Sequence, residues 1–324
     1  MTAAGDQGGV RGVDPPQVVW TDVAPRDGLQ NVSSPVTTEA KLRLVRGLLD
    51  AGATRVEATS FVSPRWVPQL SDASDVLRAL DAVQLSRVRV LIPNARGLEL
   101  ALDHGVRNVL FTVAATDSFN RRNVNRSIDE SLHDLESVIG TAHDSGCTVD
   151  VALSVSFGCP FEGAVPLERV VQLCRTLVEF GADEVAPSDT IGVATPGTVA
   201  EMCDRLATVV PHDRLAFHMH DTRGCGVANV VTAYQAGVRR FDGSVGGVGG
   251  CPFAPRSTGN VCSEDALQAL GSLGARYGAD LAGLVDVARV LAADLGRELP
   301  GKLHRAGIWT GAPLAGDAAR EHVG

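Results

Sequence analysis

Short runs of β-branched and other apolar residues alternate along the chain with longer segments in which apolar residues recur every three to four positions. The short runs predict strands, and the longer segments predict amphipathic helices. Leu42, Val45, Leu48 and Leu49 form such a helical stripe, which ends before Gly52, a residue typical of helix ends. The eight predicted strands cover residues 18–24, 55–61, 88–92, 108–114, 148–157, 184–188, 215–220 and 240–248.

Strands that alternate with helices predict a parallel sheet built from right-handed βαβ units. Eight such units predict an α/β fold of the (β/α)8 TIM barrel type, here with an additional C-terminal helix over residues 281–295. A doubly wound sheet would show the same alternation. The barrel is favoured because polar residues stand at or just after the carboxyl ends of predicted strands, where a barrel gathers its active site. These residues are Asp27, Ser60, Pro93, Asn94, Ser156, Asp189 and His220.

The pattern divides the chain into three parts. Residues 1–17 are rich in glycine, carry Asp6 and Asp14 and lack an apolar run, so we expect a disordered N-terminal tail. Residues 18–305 form the predicted barrel domain with its C-terminal helical extension, and residues 306–324 a flexible tail.

Composition excludes several classes of function. The formal charge of −9 disfavours nucleic acid or an anionic membrane as a partner, and the sequence contains no apolar run long enough to span a membrane. Seven cysteines without a CxxC pair predict free thiols and a cytoplasmic protein. Lys41 and Lys302 are the only lysines, which disfavours Schiff-base catalysis.

The run His218-Met219-His220-Asp221 closes the seventh predicted strand. Residues two apart on a strand share a face, so we expect the imidazoles of His218 and His220 to be adjacent. Two histidines at the catalytic end of a barrel suit a divalent metal ion. The alternative is a pair of hydrogen-bonded histidines with a structural role alone.

A second group of candidates follows the first strand. Asp27 could supply an oxygen ligand, and Arg26 could hold a carboxylate or a developing oxyanion. Glu57 stands within an apolar strand, where a carboxylate needs a partner, and Arg26 could be that partner. An ordinary turn at Asp27 and a purely structural ion pair are the alternatives. With Asn260 as a further oxygen donor, the mixed N/O ligand set favours Mg²⁺ or Mn²⁺ over structural Zn²⁺.

Two further features could carry chemistry. Four glycines and Pro252 surround Cys251 after the eighth strand, which is typical of a mobile loop that brings a proton donor to the site. A phosphate-binding loop and an inert thiol are the alternatives. Asp189, at the end of the sixth strand, could act as a base or orient a substrate hydroxyl.

Five segments resemble motifs of the 3-hydroxy-3-methylglutaryl-CoA lyase family, a branch of the barrel metallolyases. They are VAPRDGLQN at 23–31, TSFVSP at 59–64, GCPFEG at 158–163, DTIGV at 189–193 and GGCPFA at 249–254. The resemblance extends over residues 18–305. Leu29 favours this branch, because relatives that resemble isopropylmalate synthase usually have Glu after Arg-Asp-Gly.

The resemblance implies that the protein cleaves an acyl-CoA substrate by a divalent-metal-dependent retro-aldol reaction. It also implies a homodimer. The implied metal ligands are Asp27, His218, His220 and Asn260. Arg26 would stabilise the enolate oxygen, Glu57 would hold Arg26, and Asp189 and Cys251 would act as acid/base residues. The positions expected to contact substrate are Gln30, Ser60, Ser156, Thr190 and Arg223.

Several positions depart from the family pattern. Asp22 replaces a Glu near the metal site, Arg223 replaces a Tyr, and Ala152 replaces a Tyr and so enlarges the pocket. The segments 254–258 and 296–298 also differ, and the second lacks the usual contacts with the CoA nucleotide. We therefore expect a larger or more anionic acyl group than 3-hydroxy-3-methylglutaryl, or a different carrier.

Two other functions compete with the lyase. A Claisen-type synthase that joins an acyl-CoA to a 2-oxo acid would run related chemistry in the opposite direction, but Leu29 and the Cys251 loop argue against it. An inactive barrel that binds a ligand or partner is disfavoured because the candidate residues are all present.

Overall fold

The computed structural model describes residues 18–32, 35–250 and 259–311. The predicted N-terminal tail, Cys251 and residues 312–324 of the predicted C-terminal tail lie outside the described residues. The three-part division of the chain therefore stays a prediction.

Eight parallel strands run through the described residues and follow the predicted order. They are β1 (Val19–Asp22), β2 (Arg55–Ser60), β3 (Val88–Leu91), β4 (Asn108–Ala114), β5 (Thr148–Ser154), β6 (Glu184–Pro187), β7 (Ala216–His218) and β8 (Arg240–Gly243).

The sheet closes into a barrel. Neighbouring strands pair in the order β6-β5-β4-β3-β2-β1-β8-β7. Isolated parallel bridges from Val185 to Leu215 and from Ser188 to His218 join the two ends of this order. The predicted (β/α)8 TIM barrel is thereby confirmed, and the doubly wound alternative is wrong.

Helices surround the barrel. They are α1 (Thr38–Asp50), α2 (Ala73–Arg78), α3 (Ala82–Leu85), α4 (Ala95–Asp103), α5 (Asp117–Val124), α6 (Ile128–Asp144), α7 (Leu167–Glu179), α8 (Pro196–Leu206), α9 (Gly226–Gln235), α10 (Ser263–Ser272), α11 (Leu281–Leu295) and α12 (Leu303–Ala306). Single turns of π-helix at Ala24–Gly28 and of 3₁₀-helix at Pro68–Leu70 and Val245–Gly247 complete the set. Among the described residues, no helix combines the length and the apolar character needed to cross a membrane.

Local signals explain where the helices begin. The Ser127 side chain accepts a hydrogen bond from the Glu130 amide, and the Glu130 carboxylate accepts one from the Ser127 amide, which fixes the start of α6. Asp280 caps α11 in a similar way, through the amides of Ala282 and Gly283. The predicted C-terminal helix is α11, with the predicted bounds.

Seven of the eight predicted strands were too long, four of them by three residues or more, and the excess lies mainly at their carboxyl ends. The chain turns away from the sheet there: β1 ends at the π-turn, and β5 ends before Val155, whose φ is 54°. β8 gives way to a 3₁₀ turn in which Gly246 has a φ of 68°. The hydrophobic pattern of the sequence continues across these turns, because the turn residues are buried at the mouth of the barrel. This continuation made the predicted strands too long.

The two faces of the strands differ in chemistry. On β5 the outward-facing Val149, Val151 and Leu153 are buried in the apolar core beneath the helices. Inside the barrel, by contrast, charged side chains pair with each other. The interior network consists of Arg55, Glu57, Arg89, Asp150, Glu184 and Asp242.

Candidate active site

Asp27, His218 and His220 come together at the carboxyl end of the barrel. One potential ligand atom from each lies within 4.8 Å of the others, and all three residues are buried. The two imidazoles face each other, with 3.1 Å between the Nε2 atoms of His218 and His220. The predicted adjacency of the histidines is therefore confirmed. His218 is the last residue of β7, whereas His220 lies beyond the strand and pairs with Asn260 in an isolated bridge.

The donor atoms suit a hard or borderline divalent cation. Burial and the neighbouring His218 lower the pKa of His220 to about 3, so its imidazole is neutral, the form that binds metals. Asn260 donates from Nδ2 to Asp27 Oδ2 at 2.8 Å. Its Oδ1 is buried without a hydrogen-bond partner among the described residues, and the same holds for Nδ1 of His220. An uncompensated carbonyl oxygen beside a carboxylate and two imidazoles is what a bound cation would satisfy.

The π-turn positions Arg26 beside this group. Its Nε donates to Glu57 Oε1, and its Nη1 lies 2.8 Å from Asp27 Oδ1. The predicted pairing of Glu57 with Arg26 is confirmed. The segment is also a turn, as the alternative had it, and this turn is what brings Asp27 to the histidines.

Opposite charges hold these groups ionised in spite of their burial. Burial alone would raise the pKa of Asp27, but Arg26 and, after it, His218 lower it overall. Burial would likewise lower the pKa of Arg26, yet Glu57 and Asp27 raise it. Asp27 is thus an anionic ligand candidate next to a permanent cation.

A second layer of charged residues supports the site, and our sequence analysis missed it. Asp242 Oδ2 lies 3.5 Å from Nδ1 of His218, on the ring edge away from His220. Arg89, fully buried on β3, lies 2.8 Å from the same oxygen. The signal was available for Arg89, which stands in an apolar strand as Glu57 does, where a charge needs a partner. The strand of Asp242 also carries Arg240 and gives no such signal.

The glycine-rich loop packs against Asn260 up to the limit of the described residues. Val248 O accepts from Asn260 Nδ2 at 3.2 Å. Gly249 has a φ of 153°, and a Cβ at this position would stand 2.7 Å from Asn260 Nδ2. Glycine is needed here because a larger residue would displace the candidate ligand.

Four of the predicted substrate contacts have local partners. Gln30 donates to Asp27 Oδ1 at 3.0 Å, and Thr190 Oγ1 accepts from the Val155 amide at 2.8 Å. The Ser60 hydroxyl accepts from the Val62 amide, and the Ser156 hydroxyl donates to Leu153 O. These bonds shape the mouth, and contact with substrate stays a prediction.

Asp189 and Arg223 support the loop between β6 and α8. Both carboxylate oxygens of Asp189 accept backbone amides, from Val193 at 2.7 Å and Ala194 at 3.1 Å. Burial raises the pKa of Asp189 to about 6. Arg223 is exposed and donates from Nη1 to the carbonyl oxygens of Ile191 and Gly192. Their roles toward substrate stay predictions.

Asp22 and Ala152, two departures from the family pattern, lie in different surroundings. Asp22 accepts from Ser263 Oγ at 2.6 Å and from the Ala24 amide, so its carboxylate is engaged at the start of α10. Ala152 is half-buried and aligns with Thr112 on β4 and Ala186 on β6, which keeps this part of the strand row free of large side chains.

Comparison with known proteins finds a matching family model and similar sequences. A family model described as HMGL-like matches residues 17–291. The hydroxymethylglutaryl-CoA lyase YngG of Bacillus subtilis is 41% identical over 288 residues, which are 89% of this chain and 96% of that protein. An (R)-citramalyl-CoA lyase of Chloroflexus aurantiacus is 40% identical over 300 residues, 90% of this chain and 95% of that protein.

A solved structure extends the comparison to three dimensions. An HMG-CoA lyase from Acinetobacter baumannii, in complex with coenzyme A and 3-methylmalate, superposes with a TM-score of 0.87. It is 32% identical, and the match covers 92% of this chain and 97% of that one.

Proposed function

Because this chain belongs to the HMGL-like family, we propose that it is a divalent-metal-dependent carbon–carbon lyase that cleaves a 3-hydroxy-acyl-CoA by a retro-aldol reaction. The observation that carries the proposal is the convergence of Asp27, His218 and His220 beside Arg26 at the mouth of the barrel. Relatives with about the same identity act on hydroxymethylglutaryl-CoA and on citramalyl-CoA.

The proposed metal ligands are Asp27, His218, His220 and Asn260. The nitrogen and oxygen donors favour Mg²⁺ or Mn²⁺. A bound cation would supply Lewis-acid stabilisation to the oxygens of the substrate. Asn260 is supported as a donor because its Oδ1 is buried without a hydrogen-bond partner among the described residues.

Arg26 is the proposed group that stabilises the enolate. Glu57 accepts from Nε and Asp27 from Nη1, so two carboxylates orient the guanidinium. Negative charge develops on the thioester oxygen in the transition state. A fixed cation beside that oxygen stabilises the transition state more than the bound substrate, and so it lowers the activation barrier.

The proton and electron movements of the reaction balance within the site. A base removes the proton from the tertiary hydroxyl, and the new carbonyl forms as the carbon–carbon bond breaks. The electron pair of that bond becomes the thioester enolate, which is then protonated on carbon. We assign acid/base roles to Asp189 and Cys251, with Gln30, Ser60, Ser156, Thr190 and Arg223 as substrate contacts.

The substrate assignment is a 3-hydroxy-acyl-CoA with a tertiary hydroxyl and a free carboxylate. Hydroxymethylglutaryl-CoA and citramalyl-CoA, the substrates named for the two relatives, share these groups. Ala152 and Ala186 stand side by side on β5 and β6, and these small side chains support an extension of the assignment to a larger acyl group. A homodimer and a cytoplasmic location complete the proposal. The six cysteines in the described part of the chain are free, which supports a reducing compartment.

A cleavage assay on hydroxymethylglutaryl-CoA, citramalyl-CoA and a bulkier 3-hydroxy-acyl-CoA tests the proposal. We expect turnover with Mg²⁺ or Mn²⁺, loss of turnover after chelation, and recovery when the ion returns. Cys251→Ala should lose turnover yet still bind Mn²⁺. Cleavage that survives chelation would contradict the metal-dependent reaction, and cleavage of a bulkier thioester alone would move the substrate assignment to larger acyl groups.

A further inference from the structure

Arg89 occupies a central place in the barrel interior. It is fully buried, and its guanidinium contacts two carboxylates closely. Nε and Nη2 lie 2.8 and 2.5 Å from Glu57 Oε2. Nη2 also lies 2.8 Å from Asp242 Oδ2. One side chain on β3 thus joins a carboxylate of β2 to a carboxylate of β8.

Each of these carboxylates also contacts a group at the barrel mouth. Glu57 uses its other oxygen, Oε1, to accept from Arg26 Nε. Asp242 presents the oxygen that it shares with Arg89 to Nδ1 of His218, at 3.5 Å. The contacts therefore form one chain, Arg26–Glu57–Arg89–Asp242–His218, which connects the proposed enolate-stabilising cation with a proposed metal ligand.

We propose that Arg89 is a positioning residue that orients Arg26 and His218 together, an inference that rests on the proposed function. Removing Arg89 would leave Glu57 and Asp242 each with a single partner, free to change rotamer. Arginine suits this task because its planar guanidinium presents several donors at fixed angles, whereas the ammonium of lysine is a compact charge. Groups that orient a metal-bound histidine from behind commonly alter metal affinity when they are removed.

The other contacts of Arg89 are looser and have a separate partner. Its Nη1 lies 3.5 Å from Asp150 and 3.4 Å from Glu184. Arg55 contacts the same two carboxylates more closely, at 2.7 and 2.8 Å. Charge compensation for Asp150 and Glu184 therefore comes mainly from Arg55, together with Arg240, whose Nη1 lies 3.1 Å from Glu184 Oε2. Arg89 is the residue that contacts the carboxylates next to the site.

Arg55 supplies a matched control for the test. Arg89→Lys and Arg55→Lys make the same chemical change in the same interior network. For each full-length variant we would measure the thermal midpoint, Mn²⁺ affinity by calorimetry and electron paramagnetic resonance, and kcat and KM for thioester cleavage. We expect Arg89→Lys to weaken Mn²⁺ binding roughly tenfold and to alter the Mn²⁺ spectrum. It should also lower kcat more than it raises KM, whereas Arg55→Lys should change the thermal midpoint alone.

A charge-balanced variant guards against misfolding. Arg89→Gln combined with Asp150→Asn removes one charge of each sign, so the interior keeps its net charge. This protein should fold and still show weakened Mn²⁺ binding. If the unmodified protein binds Mn²⁺ and both Arg89 variants keep its Mn²⁺ affinity and kcat, the positioning role of Arg89 is overturned. The proposed function would stand in that case. Failure of the unmodified protein to bind Mn²⁺ would overturn the proposed metal site and this inference with it.

Discussion

The two faces of the barrel strands follow different rules. On β5 the outward positions Val149, Val151 and Leu153 are apolar and fully buried against helices. The inward positions Asp150 and Ala152 are respectively charged and small. Barrel interiors are usually filled with layers of branched apolar residues, but this one contains an ion-pair network.

The difference separates stability from geometry. Burial of apolar area outside the strands drives folding. Charges inside a barrel add little net stability, because their attraction repays a large desolvation cost. The inner network instead orients side chains at the mouth of the barrel, because Glu57 contacts Arg26 and Asp242 contacts His218.

The largest expected effect belongs to the inner face. In Arg26→Met, kcat should fall roughly 10²–10³-fold, because the cation that meets the developing enolate charge is lost. Mn²⁺ binding should persist, since Asp27, His218 and His220 remain. Steady-state kinetics and Mn²⁺ calorimetry on the same preparation would check this. A kcat close to that of the unmodified protein would remove Arg26 from the reaction.

The outer face should respond in the opposite manner. Leu153→Ala deletes a fully buried side chain and should lower the free energy of unfolding by about 2–5 kcal/mol. Activity per folded molecule should be retained. The neighbouring inward variant Ala152→Gly should cost about 1 kcal/mol or less. Chemical denaturation gives the free energy of unfolding of both variants. Equal decreases in the two variants would contradict the difference between the faces.

A smaller effect concerns pH. Burial raises the pKa of Asp22 to about 7, and the negative charge of Glu264 adds to this effect. Hydrogen bonds from Ser263 and from backbone amides act in the opposite direction and lower it. The folded protein therefore holds a proton on Asp22 that the unfolded chain releases near pH 3.8. This contribution to stability is full below about pH 4 and is lost as the pH rises to about 7.

Asp22→Asn should remove that pH dependence. The amide keeps the shape and the capacity to bond Ser263 but carries no titrating proton. We expect the unfolding free energy of the variant to fall less than that of the unmodified protein as the pH rises from about 4 to 7. Denaturant melts across this interval test the point, and parallel curves for the two proteins would contradict it.

Periodicity predicted the strands and helices, because their alternation and the helix-end signals are local, and the polar residues at the strand ends favoured the barrel over a doubly wound sheet. The bounds of α11 were predicted correctly for this reason. The carboxyl ends of β5 and β8 were not, since the left-handed backbone at Val155 and Gly246 is set by packing at the mouth.

Part of the site was predicted because its signals are also local in the sequence. A strand spacing of two places His218 and His220 together, and a lone charge in an apolar strand identified Glu57. Arg89 carries that same signal, yet its role depends on a contact with Asp242 of β8 inside the barrel, which a single sequence does not show. Cys251 lies outside the described residues, so its role stays a prediction.

The most direct test of the account is an Mn²⁺ titration of the full-length protein, followed by calorimetry, beside His220→Ala and His133→Ala. His133 is an exposed histidine of α6 and serves as the control. We expect one ion per chain in the unmodified protein and in His133→Ala, with binding lost in His220→Ala. Equal Mn²⁺ binding by all three proteins, or none by the unmodified protein, would contradict a metal centre at the barrel mouth.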